Sequence, residues 1–194
     1  MDLAPLIKFV ELLKKFQEVE RVVRVPGQER WENDVEHCYQ LALIAWYLVD
    51  KNNLSLNKDL VIQYALTHDL VEAYAGDTYV YSEDENEHAT KKQREEDAAK
   101  RLKQEFPEFP DLHTTIGNYE KRSDKESKFV YALDKIHPVL NIYIDGGRTW
   151  KERNITIQML VDHKKDKVAL SPEIEYYFNE LVALLKKEEA TLFG

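Results

Sequence analysis

The amino-acid sequence predicts an all-α protein that folds as one helical bundle. Apolar residues recur at spacings of three and four along most of the chain, which is the pattern of helices that bury one face. No segment sustains the alternation of apolar and polar residues that marks half-buried strands, and turn residues separate the helical stretches. The 194 residues, of which 43% are hydrophobic, are enough for one substantial core, so we expect a single domain over 1–194.

The first half of the chain contains three predicted helices. Pro5 suits the first turn of the first helix because proline lacks an amide hydrogen that would be unpaired there anyway. A polar turn, 52–55, joins the second helix to the third. The predicted helices cover 3–17, 34–51 and 57–73.

Two stretches of this half are predicted to be loops. Val22 to Gly27 is the only β-branched run, and because it ends in Pro26-Gly27 we interpret it as a loop. The segment 76–86 is expected to form a long loop over the functional site. Beyond it, Pro107 and the break 145–148 separate four further predicted helices, over 87–106, 111–120, 124–144 and 173–189.

The composition indicates an intracellular protein. Cys38 is the only cysteine, so no internal disulfide can form, and we expect it to be a small buried residue. No apolar run approaches the roughly 20 residues that span a bilayer, and the chain starts without a basic leader pattern. We therefore expect a cytoplasmic protein with no membrane contact.

The net charge limits the partners. A formal charge of −9 argues against a nucleic-acid partner, because binding to phosphate backbones depends on clustered Lys and Arg. A small anionic substrate is compatible with this charge, since it needs only a metal ion and one or two local cations. The nearest basic run is Lys91-Lys92-Gln93-Arg94; because Glu95 and Glu96 follow, we favour a solvated helix face over a phosphate clamp.

Four side chains that can bind a metal ion fall on or beside apolar faces of predicted helices. His37 is in register with Leu41 in the second helix, His68 and its neighbour Asp69 lie at the inner side of the third, and Asp134 shares a stripe with Val130. Each one alone is more often a hydrogen-bonded core residue. Together, two imidazoles and two carboxylates on three helices can surround one mixed nitrogen and oxygen site. The candidate ligands are His37, His68, Asp69 and Asp134.

The order Glu36-His37, His68-Asp69 and Asp134 resembles the HD-domain superfamily of metal-dependent phosphohydrolases. The segment His68-Asp-Leu-Val-Glu72, followed by Gly76-Asp77, is similar to the 5'-deoxynucleotidase subgroup, and the resemblance covers about residues 12–184. The chain departs from that subgroup in its lead-in, which reads Glu32-Asn-Asp-Val-Glu-His37. The resemblance implies an HD-domain helical bundle, the four ligands named above, and release of phosphate from a nucleoside 5'-monophosphate.

The resemblance also implies roles for two carboxylates. Glu72, one helical turn beyond His68, is the candidate general base or the residue that orients the attacking water. Asp77 is a candidate to bind a sugar hydroxyl or to share the proton transfer. The alternatives are a solvated carboxylate for Glu72 and a turn cap for Asp77.

The residue types narrow the choice of metal without fixing it. Two imidazoles and two carboxylates suit Mn, Fe, Co, Ni or Zn, with Mg also allowed, and the resemblance favours Co or Mn. A two-metal site needs further histidines between the central pair and the last Asp. His88, His113 and the later His137 do not lie on apolar stripes, so we expect one divalent ion.

Other functions stay open. The chain could be a non-catalytic module that binds a metal or nucleotide, or a hydrolase of another small phosphate ester; Glu72 favours an enzyme, because a purely structural site has no use for it. A homodimer also stays open, since the helix over 173–189 can pack on the core or pair two chains through Tyr176, Tyr177, Leu181 and Leu184.

Overall fold

The computed structural model describes residues 2–79, 81, 82 and 85–193. Helices dominate this part of the chain, and two short strands pair antiparallel. The all-α class predicted from the sequence is confirmed. In chain order the elements are α1 (Ala4–Gln17), β1 (Glu20–Arg24), β2 (Trp31–Asn33), α2 (Asp34–Lys51), α3 (Lys58–Thr67), α4 (Glu72–Ala75), α5 (Glu85–Glu105), α6 (Pro110–Lys121), α7 (Lys125–Ile144), α8 (Arg148–Glu152), α9 (Ile157–Val168), α10 (Pro172–Lys187) and α11 (Glu189–Leu192).

Two apolar clusters hold the helices together. The larger one is enclosed by α2, α3, α7, α9 and α10 and includes Leu41 and Phe129. The smaller one is enclosed by α1, α5 and α6 and includes Cys38 and Leu70. Because α2 contributes Cys38 to one cluster and Leu41 to the other, the first turns of α2 lie where the two clusters meet. His37 is in this position.

The helices that carry candidate ligands begin at strong local signals. The side chain of Asn33 accepts a hydrogen bond from the Glu36 amide, and the Glu36 carboxylate accepts one from the Asn33 amide, which fixes the start of α2. Asp124 and Ser127 form the same reciprocal pair at the start of α7. Such caps contribute about 1 kcal/mol each, and here they set the register of His37 and Asp134.

The structure departs from the sequence predictions in several places, of which three matter for the site. Val22 to Gly27 is not simply a loop, because Glu20–Arg24 pairs with Trp31–Asn33 and this non-local pairing makes it a strand. The helix predicted over 57–73 ends at Thr67, and residues 68–71 form a turn before α4. Helix α9 has no counterpart among the predicted helices, since its second half is charged and hides the apolar period.

The end of the described chain packs against α8. Phe193 stacks on Trp150 with ring centroids 4.5 Å apart and planes at 5°. A Cβ at Gly147 would lie 2.0 Å from the carbonyl oxygen of Leu192, and Gly147 has a φ of +76°. Only glycine fits this position, for both reasons.

Two properties of the helices concern contact with a membrane or with a second copy of the chain. No helix in the described ranges combines the length and apolarity that crossing a bilayer requires. Helix α10 packs its Leu181 on the core, while Tyr176 is exposed. The homodimer stays a prediction.

Candidate metal centre and active site

The four candidate ligands converge on one point. Their nearest ligand atoms all lie within 4.8 Å of one another, although the residues come from α2, the turn after α3, and α7. His37 Nε2 is 3.0 Å from Asp134 Oδ1, and His68 Nε2 is 3.7 Å from the same oxygen. Asp69 Oδ2 lies 3.1 Å from His68 Nε2. The structure thus brings together His37, His68, Asp69 and Asp134.

The turn after α3 explains how two adjacent residues face one point. In a continuous helix, neighbouring side chains diverge by about 100°. Here the Leu70 amide bonds to the Thr67 carbonyl at 3.1 Å and the Glu72 amide to the Asp69 carbonyl at 2.8 Å, so the backbone follows tight three-residue turns. His68 and Asp69 therefore both reach the site, which the helix predicted over 57–73 would not have allowed so directly.

The orientation of His68 fits a metal ligand. Its Nδ1 lies 3.1 Å from the carbonyl oxygen of Ala65, and because a carbonyl only accepts, Nδ1 donates the hydrogen. The lone pair is then on Nε2, which is buried without a hydrogen-bond partner and points at the carboxylates of Asp69 and Asp134. This arrangement is usual for ligating histidines, since the bond from the other nitrogen fixes the tautomer. The residues therefore fit a divalent cation.

His37 has a supporting network on its far side. Its Nδ1 is 3.7 Å from Glu32 Oε2, and Asn141 donates to the other oxygen of Glu32 at 3.0 Å. The ring of His137 stacks on His37 with centroids 4.8 Å apart, and His137 Nε2 is 3.2 Å from the Gln40 side-chain oxygen. These contacts hold the imidazole of His37 and leave its Nε2 toward Asp134.

The expectation that His137 does not lie on an apolar face of its helix is wrong. His137 is completely buried, because α7 is surrounded by other elements and the position three residues after Asp134 also faces inward. The half-buried His113 has its Nε2 2.7 Å from the Phe106 carbonyl oxygen, away from the quartet. The side chain of His88 lies outside the described residues. Neither described histidine joins the four-ligand cluster, and a single ion stays our prediction.

Arg21 connects the candidate ligands to a second group of carboxylates. One of its terminal nitrogens is 2.8 Å from Asp69 Oδ2 and 3.0 Å from Asp34 Oδ1. Its Nε is 3.7 Å from Glu32 Oε2. Burial opposes ionisation of Asp69, but its contact with the His68 ring and the charge of Arg21 outweigh it and hold the pKa of Asp69 well below its usual range. Strand β1 thus supplies a cation that keeps Asp69 ionised and oriented.

Glu72 is buried beside these carboxylates. Its Oε2 has no hydrogen-bond partner, and a ligand atom of Glu72 lies within 4.8 Å of those of Asp34 and Asp69. Burial, followed by the negative charge of Asp69, raises the pKa of Glu72 well above its ordinary value. A solvated carboxylate is therefore the wrong description of Glu72. A carboxyl with a raised pKa next to a metal site is suited to proton transfer.

Asp77 lies in the loop that follows α4. It is half-buried, and burial raises its pKa although Arg21 acts in the opposite direction. The expected loop over the site is supported by its described residues, since Thr78 lines both cavities described next.

Two cavities meet at Asp134 and Lys135. The polar cavity, of about 400 Å³, is lined by His68, Asp69, Glu72 and several cations, namely Lys91, Arg122, Lys135 and Lys167. The apolar cavity, of about 100 Å³, is lined mainly by hydrophobic and aromatic side chains. Asp134, Lys135 and Thr78 line both. A substrate with a charged end and an apolar end could therefore reach across Asp134.

The basic run in α5 is only partly solvated. The Lys92 side chain is 89% exposed, as the sequence-based interpretation holds. Lys91 instead lines the polar cavity and pairs with Glu95 at 3.2 Å, and Arg94 donates to the Thr78 hydroxyl at 2.7 Å. For Arg94 the solvated-face interpretation is wrong, because the Thr78 loop packs against this side of α5. Lys91 keeps its expected opposite-charge neighbour, Glu95, and also lines the polar cavity.

The family follows from comparison with known proteins. The model of the HD domain matches residues 13–175. This protein belongs to the HD-domain family. Mouse 5'-deoxynucleotidase HDDC2 is 34% identical to this HD domain over 140 residues, 71% of this chain and 68% of the mouse protein. The human protein of that name is 33% identical over 138 residues, 70% of this chain and 65% of its own length.

Solved structures agree with this placement. A predicted metal-dependent phosphohydrolase from Magnetospirillum magnetotacticum MS-1 superposes on this HD domain with a TM-score of 0.81 and 29% identity, over 96% of this chain and 94% of that one. A conserved hypothetical protein from Pyrococcus furiosus has a TM-score of 0.60 at 20% identity, over 93% and 99% of the chains, which shows the shared fold alone.

Sequence reasoning missed several residues at this site. Arg21, Glu32 and Asp34 precede the first ligand, and no spacing pattern marks them. Lys164 was hidden in a charged segment, Asp162-His-Lys-Lys-Asp-Lys167. Only the non-local pairing of β1 with β2 and the packing of α9 on α7 bring these residues inward.

Proposed function

We propose that this protein is a metal-dependent phosphohydrolase that releases phosphate from nucleoside and deoxynucleoside 5'-monophosphates. The observation that carries the proposal is the unpartnered, buried His68 Nε2 facing two carboxylates and His37. A purely structural network would satisfy this nitrogen with a hydrogen bond. The names of the mouse and human HDDC2 relatives support a nucleotide substrate for this chain.

The chain's own residues divide the chemical work. A divalent cation held by His37, His68, Asp69 and Asp134 would supply Lewis-acid activation of water and of the phosphoryl group. Glu72 accepts the proton of the attacking water, whose oxygen bonds to phosphorus while the bond to the 5'-oxygen breaks. Lys91 and Lys135 line the cavity in which the phosphoryl oxygens would lie. Asp77 is proposed to orient a sugar hydroxyl.

The proposal also covers the metal ion, the compartment and the products. Co or Mn is the favoured ion because of the family resemblance, and imidazole and carboxylate ligands suit both. The compartment is proposed to be the cytoplasm. Phosphate and a nucleoside are the products. The leaving 5'-oxygen takes up a proton from solvent, to which Glu72 returns the proton that it accepted from the water.

Phosphate release tests the proposal. The purified protein is assayed with a panel of nucleoside and deoxynucleoside 5'-monophosphates after addition of Mn or Co, and we expect turnover that a chelator abolishes. Glucose 6-phosphate is a matched phosphomonoester without a base. If the protein binds the metal tightly but hydrolyses no phosphomonoester, it is a metal-binding module. If glucose 6-phosphate is preferred over every nucleotide, the substrate class is wrong.

A further inference from the structure

Lys164 is an unusual residue in the apolar cavity. Its relative exposure is 7%, and in the described part of the chain it has no hydrogen-bond or ion-pair partner. Burial, followed by the nearby charge of Lys135, lowers the pKa of Lys164 to about 7. Buried lysines are normally paired, because desolvating an unpaired ammonium is costly. The burial of Lys164 therefore lowers the stability of the fold. A bound group that forms a hydrogen bond with Lys164 could offset this loss.

Two further polar atoms in the same cavity lack partners. The hydroxyl oxygens of Tyr81 and Thr149 are buried without a hydrogen bond, and both residues line the cavity with Lys164. The remaining wall includes Trp150, Ile155 and Leu160. An apolar cavity with a few convergent polar groups is the usual form of a small-molecule site. Lys164, Tyr81 and Thr149 can therefore hydrogen-bond to the polar edge of a small, mainly apolar group.

The size of the cavity suits a group with one ring. Its volume of about 100 Å³ is of the same order as the ~150 Å³ cavity known to hold benzene. In its protonated form Lys164 only donates, so the ring must then present an acceptor to it. Pyrimidine bases have a single ring and a carbonyl oxygen at position 2, whereas purines have two fused rings and adenine has no carbonyl.

We infer that the apolar cavity beside the candidate metal centre binds the pyrimidine base of the substrate, with the Lys164 ammonium donating to a carbonyl oxygen of the base. This inference rests on the proposed function, since the phosphate of the same nucleotide lies in the polar cavity across Asp134. Thr149 and Tyr81 supply hydrogen bonds to the polar edge of the ring. Lys164 is then a specificity residue rather than a participant in bond cleavage.

Kinetics with matched substrates test the inference. The wild-type protein should show a kcat/KM for dCMP and dTMP at least about 10-fold above those for dAMP, dGMP and the base-free 2-deoxyribose 5-phosphate. Lys164→Met should lower kcat/KM for the pyrimidine nucleotides by about 10- to 100-fold, mainly through KM, as expected for loss of a charged hydrogen-bond donor. It should leave 2-deoxyribose 5-phosphate unchanged. Thr149→Val should have a smaller effect in the same direction.

Controls separate recognition from folding. Lys165→Met removes the adjacent lysine, which is 57% exposed and pairs with Asp162, and should change no kinetic constant. Lys164→Met should keep or raise the melting temperature, because it removes an unpaired buried charge. Equal losses for dCMP and 2-deoxyribose 5-phosphate, or equal efficiency with purines and pyrimidines, would overturn the inference.

Calorimetry keeps the inference separate from the proposed function. Binding of dCMP is measured in the presence of a chelator, with 2-deoxyribose 5-phosphate as reference. Tighter binding of dCMP that disappears in Lys164→Met supports the base site even if no phosphomonoester is hydrolysed, in which case only the proposed activity fails. Equal binding of both compounds to the wild type rejects the base site, whatever the turnover.

Discussion

The two cavities on either side of Asp134 are built in opposite ways. In the polar cavity, Asp69 contacts Arg21 and His68, and Asp134 contacts Lys135 and His37, so that both carboxylates lie beside basic groups. In the apolar cavity, the hydroxyls of Tyr81 and Thr149 are buried without partners, and Lys164 makes no hydrogen bond or ion pair with the described residues. The carboxylates of the polar cavity are therefore held by basic groups before any ligand arrives, although His68 Nε2 and Glu72 Oε2 stay unpartnered there, whereas the apolar cavity leaves the hydrogen bonds of its hydroxyls for the ligand to complete. We therefore assign binding of the phosphoryl group to the residues of the polar cavity and selection of the substrate to the residues of the apolar cavity.

The largest effect is expected from the loss of a candidate metal ligand in the polar cavity. His68→Ala removes the unpartnered Nε2 from the centre of the candidate ligands, so bound metal and phosphate release should both fall to background. Metal content is measured by mass spectrometry next to the phosphate assay. His113→Gln, at a half-buried histidine bonded to the Phe106 carbonyl, should change neither property. Retention of metal by His68→Ala would exclude this histidine as a ligand.

The next effect separates proton transfer from metal binding. Glu72→Gln should lower kcat by roughly 10²- to 10⁴-fold, the usual contribution of a positioned base, while metal content stays near normal. Glu120→Gln removes another carboxylate that lines the polar cavity and should change kcat by less than about threefold, since it does not lie in the acidic cluster. Loss of metal in Glu72→Gln would mean that Glu72 holds the ion.

A smaller effect tests the support behind His37. Glu32→Gln removes the negative charge that lies 3.7 Å from His37 Nδ1, so metal affinity should fall by about 10- to 100-fold while kcat at saturating metal changes little. Titration of the apoprotein with Mn or Co gives the affinity. Glu29→Gln, at a carboxylate that is 90% exposed, is the matched control. An unchanged affinity would show that Glu32 does not position the imidazole.

The smallest effect tests which lysine of α5 serves the polar cavity. Lys91→Met should raise the KM for nucleotide by about 2- to 10-fold, as expected for loss of one partly shielded contact to phosphate. Lys92→Met should leave KM unchanged, because this side chain extends into solvent. Steady-state kinetics at several salt concentrations measure both variants. Equal effects would indicate a general influence of charge and no direct contact.

Much of the fold was readable from local patterns. Helices α2 and α7 carry clear apolar periods and strong caps, so the positions of His37 and Asp134 could be predicted. Strand β1 could not, because its pairing with Trp31–Asn33 is a non-local contact that a short β-branched run before Pro26 does not reveal. The end of α3 at Thr67 was also hidden, since the residues after it continue the apolar spacing of a helix.

Some residues of the site could be recognised from the sequence, and others could not. His68 and Asp69 are recognisable as adjacent ligand types in an apolar stretch, whereas Arg21 has no neighbour in sequence that marks it. His137 follows Asp134 by three residues and was set aside, because burial on nearly every side of α7 cannot be deduced from one stripe. Lys164 resembled a surface charge until the packing of α9 against α7 placed it inside.

The stacking of Phe193 on Trp150 connects residues 189–193 to the wall of the apolar cavity. Trp150 lines that cavity, and the α11 backbone fits against Gly147 with no room for a side chain there. Ligand binding and the order of residues 189–193 should consequently be coupled, so a bound nucleotide is expected to slow cleavage within this segment by an added protease. Gly147→Ala, by displacing α11, should remove that protection.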